Sequence, residues 1–207
     1  MFKTTISYRP TLSSMHGQHL MTRAATSTAK VVGAIEPSQL TAPTPCAEYD
    51  VRSLINHLLF WGPSLEAAAR KEARMPPAAA ESDIDLTTGD RTPDLANQLL
   101  RTADAWSDPT AWDGVTSLGG QDSPAPLIGG MVLVEFVVHG WDLARATGRQ
   151  ATYDDDVLDY VHNEALGHAA FGREMGLYGP EIPVSPDAPV LNRTLGLTGR
   201  DPNWTQP

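Results

Sequence analysis

The fold of this chain depends on one stretch, Met131-Val-Leu-Val-Glu135-Phe-Val-Val-His139-Gly-Trp-Asp142. Apolar residues flank Glu135 on both sides, and an ionised carboxylate among them is costly unless it is paired or bound to a metal ion. The valines would suit a strand, but a strand would separate Glu135 from His139 by about 13 Å, too far for one ion. A helix brings the two side chains to about 6 Å on one face. We therefore predict a helix whose Glu-x-x-x-His pair binds a divalent metal.

His57 is the third metal ligand that we predict from the residues. It lies beside the apolar stripe of another predicted helix, with Leu54 three residues before it and Trp61 four residues after it. Helical bundles build metal sites from inward-facing side chains of separate helices. Two histidines and one carboxylate leave coordination positions open, which is typical of a reactive site. The alternatives are a hydrogen-bonded histidine without a metal, and an ion pair between Glu135 and an arginine of another helix.

Three further residues belong to the predicted site or its surroundings. Asp142, one turn beyond His139, is predicted to accept a hydrogen bond from an imidazole and so to support catalysis. Trp141 is predicted to line the cofactor pocket, with a place in the core as its alternative. Cys46 is predicted to be packed rather than nucleophilic, because no histidine or other base lies near it in the sequence.

The remaining hydrophobic pattern predicts an all-α chain with long loops. Helices are predicted from His19 to Ile35, from the N-cap Asp50 through a tail ending at Arg74, from the N-cap Asp94 to Trp106, from about Pro124 to before Gly148, from Asp154-Asp155-Asp156 to about Gly172, and from about Pro189 to Thr198. Residues 107–123 are predicted to be a loop with a short hairpin as an option. Residues 1–18 are predicted to be a disordered leader, and residues 19–207 a single metal-binding domain. His162 and His168 are expected to be solvated.

Composition excludes several classes of function. The 207 residues carry 15 basic and 25 acidic side chains, a formal net charge of -10, which argues against nucleic acid or an anionic membrane as the main partner. The single cysteine cannot form an internal disulfide, and the N-terminus lacks the pattern of a secretory signal. No stretch was expected to approach the roughly 18 uncharged apolar residues of a membrane span. These features predict a soluble cytoplasmic protein.

Four segments resemble a known family, most specifically the His-Gly-Trp-Asp-Leu-Ala run and the closing Gly-Arg-Asp-Pro-x-Trp. The segments are Thr44–His57, Glu135–Gly148, Pro183–Pro189 and Gly199–Trp204. They resemble the actinobacterial metal-binding proteins related to the N-terminal domain of mycothiol-dependent maleylpyruvate isomerase, within the DinB/YfiT-like superfamily. The resemblance covers about residues 19–204.

This resemblance implies a four-helix bundle with a C-terminal extension and a zinc-type site whose ligand positions fall on His57, Glu135 and His139. It also implies that the metal binds a low-molecular-weight thiol such as mycothiol. Two departures argue against isomerase activity on maleylpyruvate itself. The chain stops before the further C-terminal domain of the isomerase-type proteins, and Tyr49 stands where many relatives have tryptophan.

The leading functional hypothesis from the sequence is a metal-dependent thiol transferase or isomerase that acts on a small electrophile. Zinc is the expected metal, with nickel as an alternative, and mycothiol is the expected thiol. A non-catalytic metal-binding or ligand-binding bundle is the main alternative, and a metal hydrolase is a weaker one. The expected partners are the thiol and the electrophile, with a homodimer as a further option.

Overall fold

The structure is a computed structural model that describes residues 14–206. Within these residues the chain forms six α-helices, three short 3-10 turns and one two-stranded sheet, which confirms the all-α prediction. The helices are α1 (Ser14–Val32), α2 (Val51–Ala69), α3 (Thr92–Trp106), α4 (Ala125–Ala146), α5 (Asp155–Glu174) and α6 (Val190–Leu197). The 3-10 turns are Pro37–Gln39, Glu81–Asp83 and Pro109–Trp112, and the strands are β1 (Val115–Leu118) and β2 (Gln121–Pro124).

Helices α1 to α4 form a four-helix bundle. Helix α1 packs against α3 and α4, and α2 packs against the same two helices, so α1 and α2 lie at opposite corners of the bundle. The core is filled by large side chains that are fully buried, including Leu54 of α2, Trp106 of α3 and Leu133 of α4. Burying each such apolar side chain favours folding by about 1.5–3 kcal/mol. Each of these three helices therefore contributes an apolar face to the shared core.

Helix α4 lies at the centre of the molecule. It is long and apolar enough to cross a membrane, which the sequence analysis did not expect. In the described structure, however, 83% of its most apolar window is buried by the rest of the protein. A helix that is apolar on all sides and covered by neighbouring elements is a core helix. Its buried position places Glu135 and His139 between α4 and the helices packed around it.

Helix α2 begins where the sequence predicts, because Asp50 caps it. The Asp50 carboxylate accepts a hydrogen bond from Ser53 N at 2.7 Å, and the Ser53 hydroxyl accepts one from Asp50 N at 2.9 Å. This reciprocal pair satisfies two backbone donors that the helix itself cannot. The helix ends at Ala69, before the predicted tail does, and Lys71 then adopts a left-handed conformation with φ 60°.

The predicted limits of α1 and α3 are partly wrong. Helix α1 begins at Ser14, before the predicted start at His19, so residues 14–18 are helical. The rest of the predicted leader lies outside the described residues. Helix α3 begins at Thr92, and Asp94 is not its N-cap but lies in its first turn and pairs with Arg91 at 2.6 Å. Pro93 explains the earlier start, since proline is favoured in the first helical turn.

The hairpin allowed for in the loop 107–123 is present as β1 and β2. The strands pair in antiparallel register from Val115 with Pro124 to Leu118 with Gln121. Gly119 and Gly120 form the two-residue turn with φ 58° and 78°, a conformation that suits glycine. The hairpin leads directly into α4 and so fixes the start of that helix.

The C-terminal extension consists of α5, which packs on α4 and α1, and α6, which packs on α5. The acidic start predicted for α5 is anchored to α1, where Arg23 donates hydrogen bonds to Asp154 and Asp156 at 2.6 Å each. The assignment of residues 19–207 to one domain remains a prediction.

Candidate metal centre

The structure brings together the three predicted ligands, His57 of α2 and Glu135 and His139 of α4. Their potential ligand atoms all lie within 4.8 Å of one another. The Glu135 Oε2 atom is 3.2 Å from His139 Nε2 and 3.6 Å from His57 Nε2. The two imidazole rings meet edge to face, with centroids 5.2 Å apart. The arrangement results from the helical spacing of Glu135 and His139 on α4 and from the packing of α2 beside it.

These distances fit a divalent metal. Zinc binds histidine nitrogen and carboxylate oxygen at about 2.0–2.2 Å, and tetrahedral geometry then separates ligand atoms by about 3.3–3.6 Å. The two measured distances to Glu135 Oε2, 3.2 and 3.6 Å, match this separation closely. The side chains of His57, Glu135 and His139 are 16%, 30% and 7% exposed. The three ligands are therefore mostly buried, and Glu135 is the most exposed of them.

The Glu81 carboxylate orients the His57 imidazole. His57 Nδ1 lies 2.9 Å from Glu81 Oε1, which also accepts a hydrogen bond from Trp61 Nε1 at 2.7 Å. The Tyr49 hydroxyl donates to the other carboxylate oxygen at 3.2 Å. A carboxylate at Nδ1 fixes the orientation of the ring, so that Nε2 faces Glu135 and His139 and would be the atom that binds a metal. Trp61, beside the predicted apolar stripe, therefore supports the site indirectly.

Glu81 is a residue of the centre that sequence patterns do not reveal. This residue lies on the 3-10 turn Glu81–Asp83, within a polar stretch without periodicity and 24 residues from His57 along the chain. A loop of this kind carries no pattern that predicts which helix it contacts. Asn56 shows how the loop is held, since its side-chain amide donates to the carbonyls of Glu81 and Ile84 at 3.3 and 3.2 Å.

Asp142 lies where the sequence analysis placed it, one turn beyond His139. Its Oδ2 atom is 3.0 Å from His139 Nδ1. Asp142 is completely buried, and Arg200 from the C-terminal segment lies 3.2 Å from the same oxygen. Both histidines of the centre thus have a carboxylate at Nδ1 and direct Nε2 toward Glu135. Partners of this kind fix imidazole orientation in metal sites.

The charges of the centre favour a bound cation. Burial lowers the pKa of His57, but its hydrogen bonds to Glu135 and Glu81 outweigh burial and raise this pKa to about 9. Burial raises the pKa of Glu135, but the positive charge and hydrogen bond of His139, with those of His57, bring it well below its usual value. Without a metal, a proton therefore occupies the centre at neutral pH. A divalent ion would displace this proton and could bind all three ligands at once.

The expectation that His162 and His168 are solvated is wrong, since they are only 9% and 6% exposed. Residues C-terminal to α5 cover both side chains. His162 Nδ1 lies 3.2 Å from Thr194 Oγ1, and the His168 ring stacks on Tyr178 with centroids 5.8 Å apart. Burial lowers the pKa of His168, while the negative charge of Glu135 opposes this shift. The α5 side of the molecule thus lies within electrostatic reach of the centre.

The structure does not bring Trp141 to the ligand triad. Trp141 is 7% exposed, belongs to the hydrophobic core, and has the Arg145 guanidinium 6.0 Å from its ring. Two residues beyond His139, it lies on a different face of α4 from the ligands. The alternative of a core position therefore describes Trp141 better than a cofactor pocket. Cys46 is packed as predicted, and burial raises the pKa of its thiol to about 11.

Gly140 allows α1 and the segment before α5 to approach α4 beside His139. Thr28 Oγ1 and the Tyr153 hydroxyl both donate to the carbonyl of Phe136, at 2.8 and 3.3 Å. A Cβ atom on Gly140 would lie 2.1 Å from the Tyr153 hydroxyl oxygen. Any larger residue would push these groups apart, so the glycine of the His-Gly-Trp-Asp run has a packing role.

Comparison with known proteins agrees with this description. A family model described as "Mycothiol maleylpyruvate isomerase N-terminal domain" matches residues 21–144. Two uncharacterized proteins of the actinobacterium Mycobacterium tuberculosis, from strains CDC 1551 and H37Rv, are each 23% identical over 167 residues. The alignment covers 81% of this chain and 85% of each relative. No solved structure matches this chain significantly.

Proposed function

The chain belongs to the mycothiol maleylpyruvate isomerase N-terminal domain family, a DinB-like family, and on this premise we propose that it is a metal-dependent thiol transferase or isomerase. Its substrate would be a small electrophile and its thiol mycothiol or a similar compound. One observation carries the proposal. Two histidine nitrogens and one carboxylate oxygen from two helices converge within 4.8 Å, and each histidine is oriented by a buried or half-buried carboxylate.

We assign His57, Glu135 and His139 as the metal ligands. Imidazole and carboxylate donors suit zinc, and imidazole also suits nickel, so zinc is the first choice and nickel the second. Three protein ligands leave at least one coordination position free for a small molecule. The negative charge of Glu135 leaves a divalent metal with a net charge near +1, enough to attract an anionic donor.

A divalent cation, when bound, lowers the pKa of a thiol that coordinates it and so supplies a nucleophile at neutral pH. The protein's own residues set the geometry. Glu81 and Asp142 hold the two imidazoles with their Nε2 atoms toward the centre. Glu135, at 30% side-chain exposure, is the most exposed of the three ligands, so the thiol and the electrophile would reach the metal beside it. Asp142 is completely buried, so its role is to support His139 rather than to contact substrate.

The metal part of this proposal is tested by elemental analysis of the purified protein after reconstitution with zinc or nickel. We expect about one equivalent in the wild type and a loss of metal in each of His57→Ala, Glu135→Ala and His139→Ala. His162→Ala is the matched control, because it removes a buried imidazole that has no contact with the triad. Metal retained in all three ligand variants would contradict the assignment.

The thiol part is tested by incubating the metal-loaded protein with mycothiol and a panel of small electrophiles. Metal-dependent consumption of the thiol is expected, and none with Glu135→Ala. If the protein binds one equivalent of metal but consumes no thiol with any electrophile of the panel, the enzymatic proposal would be contradicted. The function would then be that of a non-catalytic metal-binding bundle. Hydrolysis of ester or amide substrates without added thiol would instead indicate a metal hydrolase.

A further inference from the structure

Three side chains connect the C-terminal segment with the metal centre. Arg200 donates hydrogen bonds from Nη2 and Nε to Asp142 Oδ2, at 3.2 and 3.4 Å. The same oxygen lies 3.0 Å from His139 Nδ1. Arg200 is far beyond residues 21–144, which the family model matches, so the fold recruits a residue of the extension to this site.

Asp142 and Arg200 are both buried, so the positive charge of Arg200 compensates for the negative charge of Asp142. Asp142 is 0% exposed and Arg200 is 5% exposed. A buried carboxylate is strongly unfavourable unless a cation compensates for its charge. Among residues 14–206, Arg200 is the arginine or lysine that forms an ion pair with Asp142. Removing the guanidinium would therefore leave Asp142 with only the His139 imidazole as a partner.

The orientation of the Asp142 carboxylate depends on a single oxygen. Within the described residues, Oδ1 of Asp142 is buried without a hydrogen-bond partner, while Oδ2 takes part in all the contacts with Arg200 and His139. The carboxylate thus has no second anchor. If the two donors of Arg200 are lost, rotation about the side chain can move Oδ2 away from His139 Nδ1.

Arg200 is itself held rigidly by the end of the extension. Its Nη1 atom donates to the carbonyl of Thr198 at 2.6 Å, and Nη2 donates to Cys46 Sγ at 3.3 Å. Gly199 precedes it with φ 80°, and a Cβ there would lie 2.8 Å from the Cα of Gly179. The Gly-Arg pair of the closing motif therefore has a physical explanation: the glycine allows the close turn that aims the guanidinium at Asp142.

We infer that Arg200 is a positioning residue of the metal centre, acting through Asp142 on His139. By fixing the Asp142 carboxylate against Nδ1, it keeps the His139 ring turned so that Nε2 points toward Glu135, the orientation that metal binding needs. The inference rests on the metal binding proposed above. It extends that site to a residue that does not contact the ligand atoms.

The test is the zinc affinity, measured by competition with a chelator, of the wild type, Arg200→Met, Arg200→Lys, Asp142→Asn and the double variant Asp142→Asn/Arg200→Met. Loss of a partner that orients a metal ligand weakens binding by about 10–100-fold. We expect that loss in Arg200→Met, a smaller loss in Arg200→Lys, and no further loss when Arg200→Met is added to Asp142→Asn. Arg173→Met is the control, since Arg173 anchors α6 through the carbonyl of Leu197 at 2.9 Å without contacting Asp142.

A metal-independent measurement accompanies the affinities. In the metal-free protein, the NMR signals of the His139 imidazole are expected to change in Arg200→Met, which frees the Asp142 carboxylate beside the ring, and to stay unchanged in Arg173→Met. Unchanged His139 signals in Arg200→Met would overturn the inference. If Arg200→Met does not fold, Arg200→Lys and its double variant with Asp142→Asn give the same comparison.

The outcomes separate the two proposals. Wild-type protein that binds no metal would overturn both the proposed function and this inference. The inference alone would be overturned if the wild type binds zinc and Arg200→Met leaves this affinity unchanged. It would also be overturned if Arg200→Met lowers the zinc affinity equally in the wild type and in Asp142→Asn. Equal losses in Arg173→Met and Arg200→Met would also overturn it, because anchoring of the extension would then explain the effect.

Discussion

Raising the pH of the metal-free protein is expected to destabilise it through His57. In the folded state this imidazole lies between the carboxylates of Glu81 and Glu135, 2.9 Å from one and 3.6 Å from the other. Its proton therefore stabilises the fold, and loss of the proton leaves two acidic groups facing a neutral ring. The prediction applies to protein treated with a chelator, because a bound metal would replace this proton.

The size of the effect follows from the pKa of His57. This pKa is 6.5 for the unperturbed side chain and about 9 in the fold, where burial lowers it but the hydrogen bonds to Glu135 and Glu81 raise it by more. Because the folded pKa is raised, the stabilisation is complete below 6.5 and is lost as the pH rises through 9. At about 1.4 kcal/mol for each tenfold change in proton affinity, the loss is about 3 kcal/mol at most. The His57 side chain is only 16% exposed, so solvent screening reduces this loss of stability only slightly.

The assay is urea unfolding in the presence of a chelator at a series of pH values from 6 to 10, for the wild type and His57→Gln. The difference in the free energy of unfolding between the two proteins isolates His57 from other titrating groups. We expect this difference to shrink by up to about 3 kcal/mol between pH 6.5 and 10, with the wild type losing its advantage. With saturating zinc, the wild type is expected to keep its stability over the same range.

A difference that stays constant with pH would refute the reasoning, because it would mean that His57 has the same proton affinity in the folded and unfolded states. A difference that grows with pH would also refute it, since it would place the folded pKa below the unfolded one.

Three further predictions concern Glu81, a pair of helical glycines and the buried Glu164. Glu81→Gln is expected to weaken zinc binding by about 10–100-fold in chelator competition, with Asp83→Asn on the same turn as a neutral control, because Glu81 orients His57. Gly140→Ala is expected to lower the free energy of unfolding by about 1–3 kcal/mol, since its Cβ would clash with Tyr153. Gly167→Ala on α5, where an added Cβ meets nothing within 4 Å, is expected to raise the free energy of unfolding by about 0.5–1 kcal/mol. If Gly140→Ala were the more stable of these two variants, the packing argument would be contradicted. Burial raises the pKa of Glu164 to about 7, so its contribution to stability is present below 4.5 and lost as the pH rises through 7. Glu164→Gln is therefore expected to be more stable than the wild type at pH 9, by at most about 3 kcal/mol, and to match it at about pH 4; equal stabilities at pH 9 would contradict this.

The local parts of the fold could be predicted because they depend on neighbouring residues in the sequence. The Asp50 cap, the start of α4 after Pro124 and the glycine turn of the hairpin all depend on residues only a few positions apart. The errors at Asp94 and at the end of α2 arose where two local signals competed. Proline at the first turn of α3 prevailed over an acidic cap, and the left-handed Lys71 ended α2 before its helix-favouring tail.

The burial of α5 could not be predicted in the same way. His162 and His168 looked solvated because a helix with a weak apolar stripe does not reveal that a later segment will cover it. Contacts with Thr194 and Tyr178, 32 and 10 residues away in the sequence, decide their burial. Such contacts depend on the path of the chain after α5, which no periodicity encodes.

The sequence by itself determined the pair Glu135 and His139, because four residues along a helix place two side chains on one face. It also indicated His57 through its place beside an apolar stripe, and Asp142 through its position one turn after His139. Only the tertiary structure brought Glu81 to His57 and Arg200 to Asp142, across separations of 24 and 58 residues. The physical reason is that helical periodicity fixes only short-range geometry, whereas the partners that orient a buried imidazole are set by how loops and the C-terminal extension pack against the bundle.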